Sequence, residues 1–169
     1  MKFSDIKKLT SCGSYQINCG LSDIKYWVER QTSEEKSCRL DLNPDFQRGH
    51  VWTERQQINF IEYILRGGKT SPIYFNCVGW MNNFEGPFVI VDGKQRLTAC
   101  LKFLKNEIKA FDHYYNEFEG ICSIDILINI NNLKTRKEVL QWYIDLNTGG
   151  TVHTNEEIEK VKELIEQEI

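Results

Sequence analysis

The chain has 169 residues, 41% of them hydrophobic and 27% charged, which is ordinary for one globular domain with a real core. A formal net charge of −3 and a pI near 5.7 disfavour DNA as the main partner, because duplex-binding proteins draw affinity from a basic excess and counterion release. No apolar run approaches the roughly 18 residues of a membrane span and no signal peptide opens the chain, so a cytoplasmic protein without a membrane partner is expected.

No Pro/Ser-rich linker, repeat or low-complexity tract divides the sequence, so residues 1–169 read as a single domain. In chain order, Ser22 is placed to cap a first helix carrying Ile24, Trp27 and Val28 on one face. Arg39 to Leu42 reads as a strand. Thr53-Glu54-Arg55-Gln56 is a capping box that opens a helix with Ile58, Ile61, Ile64 and Leu65 inward, stopped by Gly67-Gly68. Ile73 to Val78 and Phe88 to Val91 form a strand pair across a Gly/Asn-rich connection. The stretch IVDGKQRLTACLKFL, Ile90 to Leu104, is the end of that strand running into an amphipathic helix. Asp92 is in position to be its N-cap, and Leu97, Cys100, Leu101 and Leu104 form its inner face. Asp112 to Gly120 is a polar loop rich in Tyr and Glu, and Ser123 to Ile130 is a further strand. Thr135-Arg136-Lys137-Glu138 opens a helix with Val139, Trp142, Tyr143 and Leu146 inward. Thr154-Asn155-Glu156-Glu157 opens the last, with Ile158, Val161, Leu164 and Ile165 as its stripe. Strands and helices alternate irregularly, which predicts an α+β fold with a small mixed sheet packed by about five helices.

The six cysteines contain no C-x-x-C pair and lack zinc-ligand spacing, so each reads as a small core or surface residue with a reduced thiol. Chemistry is better sought where the chain breaks a local rule. Lys94 and Arg96 stand in the first turn of the third helix, where the backbone dipole disfavours a cation by roughly 0.3–1 kcal/mol. An anion bound there turns the conflict into an asset. Phosphate suits first-turn amides, the dipole and Arg96 together, and Gly93 lets a ligand approach the backbone. A plain turn with Lys94 solvated and Arg96 laid on the core is the structural alternative. In a second segment, LNPDFQRGHVWT, Gln47 and Arg48 stand between Phe46 and Trp52, an arrangement that holds an arginine for bidentate contact with phosphate or a base edge. A third, LNTGGTVHT, offers Asn147, Thr148, Gly149 and Gly150 just before a new helix.

FQRGHVW, VDGKQRLTA and LNTGGT together resemble the hallmark segments of the N-terminal domain of GmrSD-type restriction endonucleases, modification-dependent bacterial anti-phage enzymes. The resemblance runs over about residues 40–157. It implies a ParB/sulfiredoxin-like fold and, through the D-G-Q-Q-R type motif, nucleotide binding and hydrolysis, often of GTP. Carried across, it implicates Asp92, Gly93, Gln95 and Arg96, with Gln47 and Arg48 opposite; Lys94 stands where Gln is more usual. The roles that follow give β/γ-phosphates to Arg96 and the first-turn amides, with charge neutralisation by Arg48 and Lys94. Asp92 would hold Mg²⁺ or orient water, and Gln95 would position water.

Many relatives also carry a C-terminal nuclease domain with a His-Asn-His metal site. Here His50, His113 and His153 form no such cluster, so stand-alone DNA cleavage is not expected without a nuclease or defence partner chain. Sulfiredoxin chemistry needs a cysteine at the helix start, where this chain has Lys94. The expectation is a slow nucleoside triphosphatase, GTP before ATP or CTP, in restriction or phage counter-defence. The alternatives are a non-catalytic binding module for nucleotide, modified DNA or a defence protein, and, ranked last, a ParB-like DNA-binding nuclease. The oligomeric state has no sequence signature.

Overall fold

The computed structural model describes residues 1–6, 15–47, 49, 52–148 and 155–168. Its strands are β1 (Tyr15–Gly20), β2 (Leu40–Asp41), β3 (Ile73–Cys77), β4 (Phe88–Asp92) and β5 (Asp125–Asn131). Its α-helices are α1 (Ile24–Thr32), α2 (Glu54–Leu65), α3 (Lys94–Leu104), α4 (Arg136–Thr148) and α5 (Asn155–Glu166). The strands form one mixed sheet in the order β1-β5-β3-β4-β2. The β1/β5 and β3/β4 pairs are antiparallel; β5/β3 and β4/β2 are parallel. The expected α+β architecture, with a mixed sheet and five helices among the described residues, is what the chain adopts.

Side chains alternate across a strand, so a sheet with helices on both faces must be apolar on both. In β4, Phe88 and Ile90 join Ile73, Phe75, Ile61, Ile64 and Trp27 beneath α1, α2 and α3. Val89 and Val91 face the other way, toward Phe46, Leu140, Trp142 and Tyr143 beneath α4 and α5. Each fully buried Ile or Phe contributes roughly 1.5–3 kcal/mol of transfer free energy, and these two clusters fix the sheet between two helical layers.

The capping boxes at Thr53 and Thr135 form as the sequence requires. Thr53 Oγ1 accepts from the Gln56 amide at 3.3 Å while Gln56 Oε1 accepts from the Thr53 amide at 2.8 Å. Thr135 and Glu138 exchange the same pair at 3.2 and 3.1 Å. Thr154, expected to cap α5, lies outside the described residues.

Three local expectations are corrected. Ser22 does not cap α1: it sits within a 3-10 turn, Leu21–Asp23, and the helix starts after Asp23 without a side-chain cap. Asp92 is not the N-cap of α3. It is still the last residue of β4, paired in register with Tyr74, and Gly93 turns the chain in the left-handed region with φ 92°. The strand β1 was not expected. It pairs antiparallel with β5 at the edge of the sheet, with Ile17 and Cys19 packed on the α1–α3 side. Among the described residues no helix is long and apolar enough to cross a membrane.

Candidate functional site

The strand-to-helix corner at β4 and α3 answers the electrostatic question raised by Lys94 and Arg96. Arg96 turns back over the helix start, and its Nη2 lies 2.8 Å from Asp92 Oδ2. Its Nη1 donates to the backbone carbonyl of Ser71 and, at 2.7 Å, to Ser71 Oγ. One guanidinium therefore ties together the end of β4, the first turn of α3 and the segment entering β3. Its side chain is 13% exposed, against 34% for Asp92, so the corner is partly shielded from water. Three of the five N–H donors of the guanidinium are engaged by these contacts.

Gly93 is the hinge of the corner. A Cβ there would stand 3.1 Å from Arg96 Nη2, from the Ile73 Cα and from Ile73 Cγ1. The close approach predicted for Gly93 is therefore used by β3 and by Arg96. No side chain caps α3, whose first turn holds no acidic residue. Lys94, half-buried, opens the helix, and its carbonyl accepts from Thr98 Oγ1 at 2.8 Å.

The Leu42 to Thr53 segment meets this corner directly. The β2 pairing stops at Val89, and beyond it a side chain reaches the carbonyls of Ile90 and Val91 in β4. Gln47 Nε2 supplies the donor, at 3.3 and 2.5 Å. Gln95 closes the far side: its Nε2 donates to the Gly49 carbonyl at 3.1 Å, and its Oε1 accepts from the Trp52 amide at 3.3 Å. Phe46 packs on Tyr143 beneath α4, whereas Trp52 packs on Phe60 of α2. The segment thus crosses the sheet edge from one helical layer to the other, and its aromatics anchor it in both. Arg48, between them, lies outside the described residues.

The third segment begins within α4. The start of α4 is fixed by Arg136 against Asp45, and Trp142 further on packs edge-to-face on Tyr74, the register partner of Asp92. The helix therefore runs from the Phe88 end of β4 toward its Asp92 end. Asn147 lies five residues beyond Trp142, about 7 Å farther along the axis. Its Nδ2 donates to the Tyr143 carbonyl at 2.6 Å. Thr148 ends α4, and Gly149 and Gly150 lie outside the described residues.

Asp92 is the one carboxylate among the expected site residues. Among the described residues no group of three or more His, Cys, Asp or Glu side chains is arranged to hold a metal ion. Asp92 is a single carboxylate whose Oδ2 is engaged by Arg96, so any Mg²⁺ here would have to keep its waters and bind mainly through phosphates. Among the described residues of α3 no thiolate nucleophile stands at the corner: Cys100 is fully buried in the helix's apolar face, and burial pushes its thiol up to about 12. Sequence reasoning missed Ser71, the partner of Arg96, which no motif marks. Gly49 and Trp52 lie within FQRGHVW, but their bonds to Gln95 run through backbone groups that the motif does not reveal. A separate groove of about 480 Å³, lined by Asp45, Asn76, Lys134 and Arg136 among others, lies at the opposite end of β4.

No curated protein and no solved structure matches the chain significantly. The family model described as GmrSD restriction endonuclease, N-terminal domain, matches residues 27–125, more than half of the chain. The matched region contains β2 to β4, the Leu42 to Thr53 segment and the Asp92–Arg96 corner, while LNTGGT lies beyond it. The chain belongs to the GmrSD restriction endonuclease N-terminal domain family.

Proposed function

We propose that the chain is a nucleotide-binding domain and a slow nucleoside triphosphatase, favouring GTP, that works in restriction or in phage counter-defence. The observation that carries this reading is the Asp92–Arg96 corner, where two cations stand in an uncapped first turn and a second chain segment is bonded against it. Family membership supports the restriction and defence setting. The remaining donors of Arg96, together with Lys94, would hold phosphate oxygens, and Arg48 would add charge from the opposite wall. Asn147, Thr148, Gly149 and Gly150 would contact the nucleotide from the α4 side. Gln95 acts as a positioning residue here, because both ends of its amide are bonded to the loop that carries Arg48. Asp92 would hold Mg²⁺, which when bound neutralises charge that develops on the phosphates. Such chemistry depends on positioning and fixed charge, and with no strong general base among the described residues of the corner a low turnover is expected.

A non-catalytic binding module is the second reading. It is favoured by the commitment of Asp92 and Arg96 to each other and of Gln95 to backbone, which leaves few groups for a reacting water. Phosphate release from GTP, ATP and CTP with Mg²⁺, measured beside equilibrium binding of the same nucleotides, separates the two. The triphosphatase reading expects release above that of Asp92→Asn and Arg96→Ala, each checked for a cooperative melt. Binding without release above those variants leaves only the module, and no binding of any of the three nucleotides removes both the triphosphatase and a module that recognises nucleotide.

A further inference from the structure

Away from that corner, two thiols have no part in the reading above. Cys38 precedes β2 and Cys77 ends β3, 39 residues apart in sequence, yet their sulfurs lie 3.2 Å from each other. Cys38 Sγ also donates to the Gly86 carbonyl at 2.9 Å, which fixes its direction beside Cys77. A disulfide bond is about 2.05 Å long, so the pair has only about 1.2 Å left to close. Both residues line a small cavity of about 40 Å³ with Lys36, Ser37, Trp80 and Phe84. That is ample for one water-sized molecule, which needs roughly 10–15 Å³. Cys38 is 6% exposed and Cys77 1%, so the cavity leads to a pair otherwise closed off.

We propose that Cys38 and Cys77 are a reversible oxidation site at which hydrogen peroxide, entering by this cavity, joins the two sulfurs. The Cys38 sulfur attacks one peroxide oxygen, the O–O bond breaks, and the product is a Cys38 sulfenic acid and one water. The Cys77 sulfur then attacks the Cys38 sulfur, the S–O bond breaks, and the departing hydroxyl leaves as a second water with the Cys77 proton. Each sulfur loses one electron and the two peroxide oxygens are reduced. The order follows the surroundings: Cys38 is the less buried of the two, 6% exposed against 1%, and lines the cavity with Lys36 and Ser37. Burial and the neighbouring Cys38 sulfur push the Cys77 thiol up to about 12, so it serves as the resolving partner. Oxidation removes the hydrogen that Cys38 gives to Gly86 and ties the lead-in of β2 to the end of β3, across β4.

The test treats the full chain with hydrogen peroxide, unfolds it in a thiol-alkylating reagent and maps the peptides by mass. The expected result is a Cys38–Cys77 cross-linked peptide and the loss of two alkylated positions from the six of the reduced chain, both reversed by dithiothreitol. In Cys38→Ser, where the hydroxyl keeps the bond to Gly86, the cross-link disappears and Cys77 stays alkylatable. The proposal is overturned if Cys38 and Cys77 remain alkylatable while the more exposed Cys122 is oxidised. A cross-link to a different cysteine, or Cys38 carried on to a sulfinic acid with Cys77 still free, overturns it equally. The wild-type map decides the matter even where the variant does not fold.

Discussion

Replacing Gly93 with alanine isolates the close approach on which the corner depends. Its φ of 92° is one an L-residue adopts at a cost of roughly 1–2 kcal/mol. The added Cβ would also meet three atoms at 3.1 Å, and they differ in what they can concede. The guanidinium of Arg96 can swing away, but only by lengthening its 2.8 Å contact with Asp92. The Ile73 Cα belongs to the first residue of β3, bonded into the middle of the sheet, and cannot move alone. Overpacking of this kind adds roughly 1–3 kcal/mol, so the whole loss is about 2–5 kcal/mol. For a chain of this size it lowers Tm by about 4–20 °C. Gly67→Ala is the matched control: its φ is 82° but no atom lies within 4 Å of the new Cβ, so it bears the conformational cost alone. Its Tm should fall by only about 2–8 °C. Calorimetry on both variants and the parent gives the comparison. Should Gly93→Ala melt no lower than Gly67→Ala, β3 does not press on the start of α3 and the described corner is wrong.

Two further outcomes follow from other residues. Asn76 is 1% exposed and exchanges two hydrogen bonds with the Leu133 backbone, at 2.8 and 3.1 Å, as a strand neighbour would. Asn76→Ala leaves the N–H and C=O of Leu133 unpaired and should cost about 2–4 kcal/mol in urea unfolding; a loss well under 1 kcal/mol would mean that this pair is not shielded from water. The Asp45 carboxyl is held below its ordinary value chiefly by its 2.8 Å hydrogen bond from Arg136. A depressed carboxylate contributes stability above its unfolded pKa and loses it as pH falls through the folded one. Both side chains are more than a third exposed, so solvent screening limits the contribution to roughly 0.2–1 kcal/mol. Asp45→Asn should therefore unfold at lower urea than the parent near pH 6, and the gap should close toward about pH 3. A gap that is constant across that range refutes the assignment.

Much of this architecture was legible because its signals are local. The capping boxes at Thr53 and Thr135 each place both partners within four residues, so α2 and α4 begin where their sequences say. The strand β1 escaped for the opposite reason. Gln16, Ile17 and Asn18 have a weak apolar pattern, and what holds them is the ladder to β5, more than a hundred residues away. The corner shows the same division. VDGKQR identified Asp92, Gly93 and Arg96 as a group, and the structure brings all three together. Nothing in the sequence pointed to Ser71, 25 residues upstream of Arg96, and FQRGHVW marked the segment opposite without revealing that the Gly49 carbonyl, 46 residues upstream of Gln95, is the group bonded. Reading Asp92 as a cap failed because a capping side chain and an ion-pair partner look alike in sequence; its carboxylate goes to Arg96, and the turn falls to glycine.

The contrast among helix starts bears on why the corner is built this way. Both α2 and α4 begin with a reciprocal side-chain cap and an acidic residue in the first turn, Glu54 and Glu138, in keeping with the helix dipole. The start of α3 has neither, although one substitution at Lys94 would supply the acid. Asp92, acting from the strand, partly offsets the misplaced charge of Arg96. The start of α1 also lacks a side-chain cap and a first-turn acid and carries Lys25, so what sets α3 apart is two cations in one turn, which the dipole disfavours. Positions where local consistency is given up are where a bound anion gains most, since it meets charge already in place. Binding of a polyphosphate should therefore raise the melting temperature of the parent more than that of Lys94→Glu, which relieves the same conflict from within. Equal shifts in the two proteins would detach the cations of α3 from any anion.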